Sequence, residues 1–485
     1  MAPQNVETRL FINNEFVPGK AGKTFQLINP ATEEPTYQVH EATQEDIDLA
    51  VKYAKAAQPE WAAKNAAERA AALNALAALI VKPENIDRFA ELESVSMGIP
   101  KGHYAFQAII SSQFLQHAAG VSLDIKGETS LRTAGRLDLI LKQPFGVCGL
   151  IIPWNTPLML ACASLGSALA TGNVVIMKSS EKAPLTSVYL AQLIKETGLF
   201  PAGVVQIVSG MGPTTGAALA QHMEIRKLGF IGSVNTGRKI KEMAAKSNMK
   251  NVTCELGGKS PIVVFDDADL AKAAMDAALS ISLFSGQACI ASSRVYVQDT
   301  VREKFVESFK ANFKAILSNA GDPLDPATTH GPQADLLQYR HVMGFIERAK
   351  ADGIAPGMGG NRVGEKGFYI EPTIFFDVPE THDLVKNEIF GPVVVINTFK
   401  DEDEALAKAN DSEYGLYASV FTKDISRALK FAKGMEAGSI GVNCASPTVS
   451  VDMPFGGFKQ SGDGRQWGRA GLESWLETKS VFINL

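Results

Sequence analysis

Short apolar runs alternate with amphipathic segments over most of the chain from residue 146 onwards. Apolar runs at 147–152, 174–177, 204–208 and 228–230 are each followed by a segment with helical spacing of its apolar residues. This alternation is typical of βαβ units, in which helices cover both faces of a parallel sheet. A second series has strand patterns at 261–265 and 294–297 and helical patterns at 270–279 and 302–317. The pattern predicts two α/β lobes.

The segments outside these two series have other patterns. Residues 47–57 and 66–80 have helical patterns and are expected to cover a sheet face. Residues 123–141 interrupt the alternation, and both 136–141 and 480–485 have the pattern of strands. Because exposed strands without a partner can pair with another chain, these pieces predict an antiparallel oligomerisation arm.

Composition agrees with a globular protein of more than one domain. The chain has 485 residues, of which 46% are hydrophobic, and this length is too great for a single ordinary core. We expect residues 1–122 with 145–257 to form the first lobe, 258–460 the second, and 123–144 with 461–485 the arm. A net charge of −5 gives no basic excess for nucleic acid or an anionic bilayer, so neither partner is expected.

Neither a membrane span nor a targeting segment is expected. Prolines and polar residues interrupt the most apolar region, 150–177, and the first ten residues lack a signal pattern, so a cytoplasmic location is predicted. The cysteines are odd in number and lack CxxC pairs, which argues against disulfides and against a metal site. They are Cys148, Cys162, Cys254, Cys289 and Cys444.

Cys289 and Glu255 are the candidate catalytic pair. Cys289 follows Gly286 in a glycine-containing loop, where nearby dipoles or bases can stabilise a nucleophilic thiolate. Glu255 ends a strand-like run and precedes Gly257 and Gly258, and a carboxylate at a strand end can activate water. The alternatives are a small buried hydrophobic residue for the cysteine and a surface residue for the glutamate.

Asn155 is the candidate oxyanion donor. It follows the apolar run 147–152 and the pair Pro153 and Trp154. Its amide and the backbone N–H of Cys289 can both donate to a developing oxyanion, an arrangement worth about 3–4 kcal/mol. The alternative is an ordinary helix cap ahead of Pro157.

The run 230–237 is the candidate phosphate site, because it ends a strand and opens a helix whose free N–H groups favour anions. Its spacing is not GxGxxG, and the turn 210–216, which contains Gly212, is at best accessory. Lys178 and Glu181 follow the apolar run 174–177, where lysine can reach a ribose or phosphate and glutamate can accept from ribose hydroxyls. A glutamate here repels a 2′-phosphate and favours NAD over NADP. A solvated loop is the alternative.

Taken together, these residues closely resemble the aldehyde dehydrogenase superfamily. The matching motifs occur in the expected order at 153–155, 178–181, 232–237, 255–259, 286–289, 388–392 and 454–457. The resemblance implies an α/β fold with a Rossmann-like nucleotide-binding domain, an α/β catalytic domain and a small β oligomerisation arm. It also implies an aldehyde as substrate, NAD as cofactor with NADP as the alternative, and a homodimer or homotetramer.

By this resemblance Cys289 attacks the aldehyde, Asn155 holds the oxyanion, NAD takes the hydride, and Glu255 activates the water that hydrolyses the thioester. Glu388 is then the ligand of the nicotinamide ribose, and Phe455 is similar to the aromatic residue beside the nicotinamide. The expected cofactor-binding residues are Ile151, Pro153, Trp154, Lys178, Ser180, Glu181, Gly212, Gly232, Ser233, Gly237, Leu256, Glu388, Phe390 and Phe455. The expected substrate-pocket residues are Thr156, Met159, Leu160, Ala163, Ala288, Ile290 and Ser446.

Two departures from the family pattern change what is expected of the proton relay and of the substrate entrance. Gln466 follows Arg465 where the family often has glutamate, so no second carboxylate can relay protons from that position. Thr156 stands where many members that use small aliphatic substrates have phenylalanine, and Ala163 and Ser164 replace bulkier residues, which predicts a roomier entrance.

The loop 446–449 is similar to that of the benzaldehyde, salicylaldehyde and vanillin dehydrogenase branches, so an aromatic or bulky aldehyde is predicted. The alternatives are an aliphatic or semialdehyde dehydrogenase, an NADP-preferring enzyme, and a CoA-acylating enzyme, against which the presence of Glu255 argues. A catalytically silent structural protein, as in some lens crystallins, would be expected to lack Cys289 or Glu255.

Overall fold

The computed structural model of the chain describes residues 3–485. Its strands are β1 Leu10–Ile12, β2 Glu15–Val17, β3 Thr24–Ile28, β4 Pro35–His40, β5 Glu128–Ser130, β6 Arg136–Pro144, β7 Val147–Ile151, β8 Val174–Lys178, β9 Val205–Val208, β10 Lys227–Ile231, β11 Asn251–Glu255, β12 Pro261–Val264, β13 Arg294–Gln298, β14 Thr373–Phe376, β15 Val393–Phe399, β16 Tyr417–Phe421, β17 Ser439–Val442, β18 Gly462–Asp463 and β19 Leu476–Asn484. Its α-helices are α1 Gln44–Ala63, α2 Ala66–Ile80, α3 Pro83–Met97, α4 Tyr104–Ser122, α5 Pro157–Ala170, α6 Leu185–Thr197, α7 Ala217–Gln221, α8 Val234–Lys246, α9 Leu270–Ser282, α10 Arg302–Ile316, α11 Leu336–Ala351, α12 Asp383–Lys386, α13 Glu402–Asn410, α14 Ile425–Gly434 and α15 Gly468–Glu473.

The first predicted series forms the centre of an eight-stranded sheet with the order β18-β11-β10-β7-β8-β9-β1-β2. Strands β11, β10, β7, β8 and β9 run parallel, so the predicted βαβ rhythm is confirmed here. The residues of β7, β8 and β9 are all buried, as expected for a parallel sheet covered by helices on both faces. The hairpin of β1 and β2 adds two antiparallel strands at one edge.

The second series forms a six-stranded parallel sheet with the order β14-β15-β13-β12-β16-β17. Helix α10 shows how it is covered. Phe305, Phe309 and Phe313 recur every fourth residue, so they share one face of the helix, and all three are fully buried against the sheet. The two predicted α/β lobes are therefore two separate sheets with separate cores.

The predicted antiparallel arm is a three-stranded sheet with the order β19-β6-β5. Its strands were expected to lack a partner, and this was wrong: β19 pairs with β6 along its whole length, from Leu476 opposite Pro144 to Asn484 opposite Arg136. Residues 461–485, which were expected to belong with the arm, also contribute to other parts of the structure. Strand β18 pairs with β11 in the eight-stranded sheet, and α15 packs against α4 and α5.

The sequence pattern missed several elements before residue 123. Strands β1 and β2 have three residues each, too few to show a period. Helix α4 carries small, polar and apolar residues around most of its circumference, because it packs between α2 and α5, and so it lacks an amphipathic stripe. No helix within residues 3–485 is long and apolar enough to cross a membrane.

Candidate active site

The carboxyl ends of four neighbouring parallel strands bring the candidate residues to one edge of the eight-stranded sheet. Asn155 lies beyond the end of β7, Lys178 ends β8, Gly232 follows β10 and Glu255 ends β11. Parallel strands place their carboxyl ends on the same edge, where open α/β sheets bind their ligands. The order β11-β10-β7-β8 therefore sets these residues side by side.

A cleft of about 1280 Å³ opens at this edge. Nine of the predicted cofactor-binding residues line it, namely Ile151, Pro153, Trp154, Lys178, Ser180, Glu181, Gly212, Gly232 and Ser233. Two others, Gly237 and Leu256, do not line it but contact each other: a Cβ on Gly237 would fall 2.9 Å from the Leu256 side chain, so this glycine lets α8 pack closely on the loop after β11. The size and depth of the cleft suit a dinucleotide.

The start of α8 supplies a site for negative charge in this cleft. Ser233 is the N-cap, and its hydroxyl accepts from the backbone N–H of Thr236 at 3.4 Å. The remaining N–H groups of the first turn face outwards from the helix, whose N-terminus carries a partial positive charge. Lys239 and Lys246 of the same helix also line the cleft.

Lys178 is not the solvated loop residue of the alternative interpretation. Its side chain is buried, and its ammonium group donates to the Ser179 carbonyl at 2.9 Å and lies 3.4 Å from a Glu181 carboxylate oxygen. Burial lowers the pKa of Lys178, and the Glu181 carboxylate partly opposes this shift. Glu181 remains partly exposed, and both residues line the cleft.

Lys182 and Gln338 are cleft residues that the sequence pattern missed. The Lys182 ammonium group lies 5.0 Å from the centre of the Trp154 ring and pairs with Asp335 at 2.9 Å. Gln338 donates to the carbonyl of Phe390 at 2.8 Å, and the Phe390 ring meets the Trp154 ring edge-on at 5.3 Å. Lys182 could have been predicted to line the cleft because it follows Glu181 directly in the chain. Nothing in the sequence around Gln338 indicates that it does so.

Cys289 lies in the loop between α9 and β13 and is partly buried. Burial and, to a smaller extent, the negative charges of Glu388 and Glu255 raise the pKa of its thiol to about 12, although the backbone N–H groups of Ile290 and Cys289 oppose this shift. The thiol is therefore protonated near neutral pH. These N–H groups can also donate to an oxyanion formed at the sulfur-bound carbon.

Asn155 and Gly258 hold the Cys289 loop from two directions. The Asn155 amide donates to the carbonyl of Gln287 at 3.1 Å, two residues before the thiol. The helix-cap alternative for Asn155 is wrong, since Thr156 is the N-cap of α5. A Cβ on Gly258 would overlap the carbonyl oxygen of Cys289, so only glycine permits this approach of the two loops.

Glu255 is buried, and neither of its carboxylate oxygens has a hydrogen-bond partner among residues 3–485. Burial raises the pKa of Glu255 well above its ordinary value; Arg465 opposes the shift, and Asp463 adds to it. The surface-residue alternative for this glutamate is therefore wrong. A buried carboxyl with a raised pKa and free oxygens is typical of an acid or base that acts on a ligand or water.

Glu388 comes from the second lobe and reaches the glycine loop of the first. One of its carboxylate oxygens accepts from the backbone N–H of Gly258 at 2.9 Å, and a Cβ on Gly257 would overlap the carboxylate. Burial raises the pKa of Glu388 to about 7, against the effects of that N–H and of Lys259. Glu388 therefore lies against the loop that also contacts Cys289.

An apolar cluster surrounds the thiol on the side of α4 and α5. Its buried members are Phe114, Ala163, Ile290, Leu416, Tyr417, Phe455 and Trp467, and Ile110, Met159, Cys289 and Val451 pack against them. Phe455, the residue expected beside the nicotinamide, lies in this cluster, where its ring stacks on the Trp467 ring with the two centres 4.3 Å apart. Trp467 directly follows Gln466 in a motif of the family resemblance, yet nothing in its local sequence indicates that it faces the thiol.

The remaining predicted pocket residues are divided. Met159, Ala163 and Ile290 belong to the apolar cluster. Thr156, Leu160 and Ala288 are also buried, but they are not members of that cluster. The hydroxyl of Ser446 lies 2.6 Å from that of Ser280, within a network of buried serines. Ser446 therefore uses its hydroxyl inside the second lobe.

Comparisons with known proteins agree with this geometry. A sequence model of the aldehyde dehydrogenase family matches residues 16–481. The "Aldehyde dehydrogenase, cytosolic 1" of Rattus norvegicus is 43% identical over 483 residues, which cover 99% of this chain and 95% of the rat protein. The solved aldehyde dehydrogenase KauB from Pseudomonas aeruginosa has a TM-score of 0.96 at 38% identity, with 99% of this chain and 97% of KauB covered.

A second solved structure, indole-3-acetaldehyde dehydrogenase in complex with NAD⁺, has a TM-score of 0.96 at 36% identity and covers 99% of this chain and 97% of its own. These likenesses extend over both sheets and the arm, and they confirm the predicted fold. The chain belongs to the aldehyde dehydrogenase family and is an oxidoreductase that acts on aldehydes.

Proposed function

We propose that this enzyme oxidises an aldehyde to its carboxylic acid with NAD as hydride acceptor, through a thioester on Cys289. The observation that carries the proposal is the environment of that thiol. Cys289 packs in the apolar cluster with Phe455, and it lies close enough to Glu255 and Glu388 for both carboxylates to raise its pKa. A thiol in apolar surroundings and a buried carboxyl group thus lie near each other, and the backbone N–H of Gly232, which lines the cleft, donates to the Glu255 backbone carbonyl at 3.0 Å.

The residues of the cleft fit NAD. The N-terminus of α8, with Gly232 and Ser233, is suited to the pyrophosphate, and Glu181 is suited to the ribose hydroxyls. Glu388 and Phe390, which contact Gly258 and Trp154, are proposed to hold the nicotinamide end. When bound, NAD would supply the hydride acceptor for the reaction.

The chemistry of the chain's own residues follows from their positions. The Cys289 thiolate attacks the aldehyde carbon, and the Asn155 amide with the backbone N–H of Cys289 stabilises the resulting oxyanion. After hydride loss the thioester must be hydrolysed, and Glu255 takes a proton from the attacking water. Gln466 cannot serve as a second base, so Glu255 bears this role alone among the motif residues.

The nucleophile is tested by a Cys289→Ala variant. Because Cys289 is the proposed site of the thioester, we expect this variant to lose turnover while NAD still binds, as measured by NADH formation and by quenching of tryptophan fluorescence. Cys444→Ala is the matched control, since Cys444 is also partly buried but is not one of the proposed active-site residues. Substantial turnover of Cys289→Ala would exclude the nucleophile assignment. CoA-dependent product without free acid would instead favour the acylating alternative.

Preference for NAD over NADP is proposed to depend on Glu181. Its carboxylate repels a 2′-phosphate and also engages Lys178, which would otherwise be free to bind that phosphate. We expect Glu181→Gln to raise the NADP/NAD ratio of kcat/KM by about tenfold, equal to about 1.4 kcal/mol. Glu242→Gln is the control, because Glu242 lines the same cleft but pairs with Lys246. An unchanged ratio in Glu181→Gln, or an equal rise in both variants, would contradict the assignment.

The substrate is proposed to be an aromatic or otherwise bulky aldehyde. The small side chain of Ala163 packs in the apolar cluster with Cys289, and the rings of Phe114, Phe455 and Trp467 offer aromatic surface there. The relative solved with NAD⁺ is named for indole-3-acetaldehyde, itself an aromatic aldehyde. A panel of aromatic and aliphatic aldehydes should give higher kcat/KM values for the aromatic members. Equal or higher values for acetaldehyde would favour the aliphatic alternative.

We further propose that residues 1–122 with 145–257 act as the nucleotide-binding domain and 258–460 as the catalytic domain. The three-stranded sheet is proposed to mediate assembly into a homodimer or homotetramer, because β19 exposes Phe482 and Ile483 at its surface. A cytoplasmic location is part of the same proposal, and the rat relative is named as cytosolic.

A further inference from the structure

The backbone just before Cys289 has an unusual conformation. Phe284, Ser285 and Gly286 are consecutive left-handed residues, with φ of 49°, 56° and 79°. Only glycine adopts this region freely, and two successive non-glycine residues in it are held there by their surroundings. A Cβ on Gly286 would overlap the backbone of Gly391, so this turn is also pressed against the second lobe.

The segment 330–334, which precedes α11, contacts Ser285 through three atoms. The Ser285 hydroxyl lies 3.1 Å from Nδ1 of His330 and 2.8 Å from the carbonyl oxygen of Gly331. The side-chain amide of Gln333 donates to the backbone carbonyl of Ser285 at 3.2 Å. Both the side chain and the backbone of this left-handed residue are therefore bound by one segment.

The same segment also binds Gln287, two residues before the thiol. The Gln287 amide donates to the carbonyl of Pro332 at 3.2 Å, and its side-chain oxygen accepts from the backbone N–H of Ala334 at 2.9 Å. The carbonyl of Gln287 is the group that accepts from Asn155. Gln287 is thus bound both by segment 330–334 and by the proposed oxyanion donor.

These contacts are buried, and the neighbours of His330 determine which of its ring nitrogens carries the proton. His330, Gln333, Ser285 and Gln287 are each at least 97% buried. Nε2 of His330 lies 2.7 Å from the carbonyl oxygen of Ile370, which only accepts, so Nε2 carries the proton. Burial lowers the pKa of His330, which keeps the ring neutral and Nδ1 without a proton, so the single proton of the Ser285 hydroxyl is shared between Nδ1 and the Gly331 carbonyl oxygen.

We propose that segment 330–334 positions the nucleophile: His330 and Gln333 hold Ser285 in its left-handed conformation, and this directs the following loop so that Cys289 faces the Asn155 amide and Glu255. The inference rests on the proposed role of Cys289. Without these contacts Ser285 relaxes to a right-handed or extended conformation, and the direction of the chain into Gln287 and Cys289 changes with it. His330 and Gln333 act through Ser285 and are positioning residues.

Two substitutions of His330 separate this role from a general contribution to folding. In His330→Asn the side-chain amide occupies the place of Nδ1, so the contact with Ser285 is retained and that with Ile370 is lost. In His330→Gln the amide reaches the place of Nε2, so the Ile370 contact is retained and the Ser285 contact is lost. A purely structural histidine would be affected similarly by both changes.

The measured quantity is the rate of Cys289 alkylation by iodoacetamide, followed by peptide mass analysis in the unliganded enzyme. We expect His330→Gln and Ser285→Ala to slow alkylation and the pre-steady-state hydride burst by about tenfold, the effect of one lost hydrogen bond. His330→Asn should stay within about threefold of the parent enzyme. The dissociation constant for NAD should be unchanged in all three.

Equal slowing in His330→Asn and His330→Gln would overturn the proposal, as would parent-like alkylation of folded Ser285→Ala. If the His330 variants fail to fold, Ser285→Gly replaces them, because glycine tolerates the left-handed turn but cannot bind His330; alkylation of this variant at the parent rate would overturn the proposal. Alkylation needs neither aldehyde nor NAD. Turnover by Cys289→Ala would therefore remove the proposed function without affecting this measurement.

Discussion

Burial leaves both reacting groups of the site in their neutral forms. It raises the pKa of Cys289 to about 12 and that of Glu255 well above its ordinary range. A thiol and a carboxylic acid are poor nucleophile and poor base, and each becomes active only by losing a proton. At the scale of single residues, the unliganded site is therefore poised for bound ligands or higher pH to activate it.

The raised pKa of Glu255 determines whether kcat rises or falls with pH. Its base form grows as pH rises through the raised pKa, so kcat should continue to increase with pH well above the range in which an ordinary carboxyl group ionises. In Glu255→Gln we expect a hydride burst followed by steady-state turnover slower by about 10²- to 10⁴-fold. Stopped-flow recording of NADH absorbance measures both phases.

The control for this experiment is Glu413→Gln, which alters an exposed carboxylate that binds Gln460 on the surface. It should behave as the parent enzyme at every pH. A Glu255→Gln variant with an unchanged steady-state rate would remove Glu255 from the hydrolysis step.

At the scale of elements, helix α5 carries the residues that follow Asn155, and its start is held from another helix. Thr156 is its N-cap but makes no capping hydrogen bond, and Pro157 has no N–H to satisfy. The backbone N–H of Leu158 instead donates to the Glu93 carboxyl of α3 at 3.4 Å. The hydroxyl of Tyr104, at the start of α4, donates to the same oxygen at 3.0 Å.

Glu93 makes the stability of this junction depend on pH. Burial raises its pKa from 4.5 to about 8, so between these values the folded protein holds a proton that the unfolded chain has lost. The free energy of unfolding therefore includes a contribution that is complete below the unfolded pKa and is lost as pH rises through about 8. Glu93→Gln keeps an acceptor oxygen but does not titrate.

We expect the stability of Glu93→Gln relative to the parent enzyme to increase by about 1 kcal/mol or more between about pH 6 and about pH 9, as measured by urea unfolding. Glu91→Gln is the matched control on the same helix, because Glu91 is partly exposed and pairs with Arg88 at 3.5 Å. It should show no such increase. A parallel dependence for the two variants would contradict a titrating Glu93.

At the scale of the whole molecule, the site lies where two sheets with separate cores meet. The glycine loop after β11 belongs to the first sheet, Cys289 and Glu388 come from the second lobe, and Gly258 contacts both. The arm lies apart from this junction. Its strand β19 exposes Phe482, which is covered only in part by the Arg136 guanidinium 5.0 Å from the ring centre.

The proposed assembly through the arm is tested by Phe482→Ser. Removing a large exposed apolar side chain from an interface should weaken association by about tenfold or more, as measured by sedimentation velocity over a range of concentrations. Thr478→Ser is the matched control, since Thr478 is also exposed on β19. Identical mass distributions for both variants, with circular dichroism unchanged, would exclude β19 as the interface.

The sequence alone determined the features that depend on local pattern. Apolar runs separated by amphipathic segments specify parallel strands with helices between them, whatever their partners are. Asn155, Lys178, Gly232 and Glu255 each follow such a run, and because parallel strands end at one edge, the folded sheet places all four at that edge. The resemblance to the aldehyde dehydrogenase family then identified Cys289 among five cysteines.

Only the tertiary structure decided which side chains share a surface, because those contacts join residues far apart in the chain. Phe455 joins Trp467 and Phe114 beside the thiol, whereas Ser446 bonds to Ser280. Strands β6 and β19 pair across more than 300 residues, and the left-handed turn at Ser285 is held by residues 45 and more positions away. A local pattern fixes the direction of a strand or helix, but a close contact depends on the packing of the whole chain.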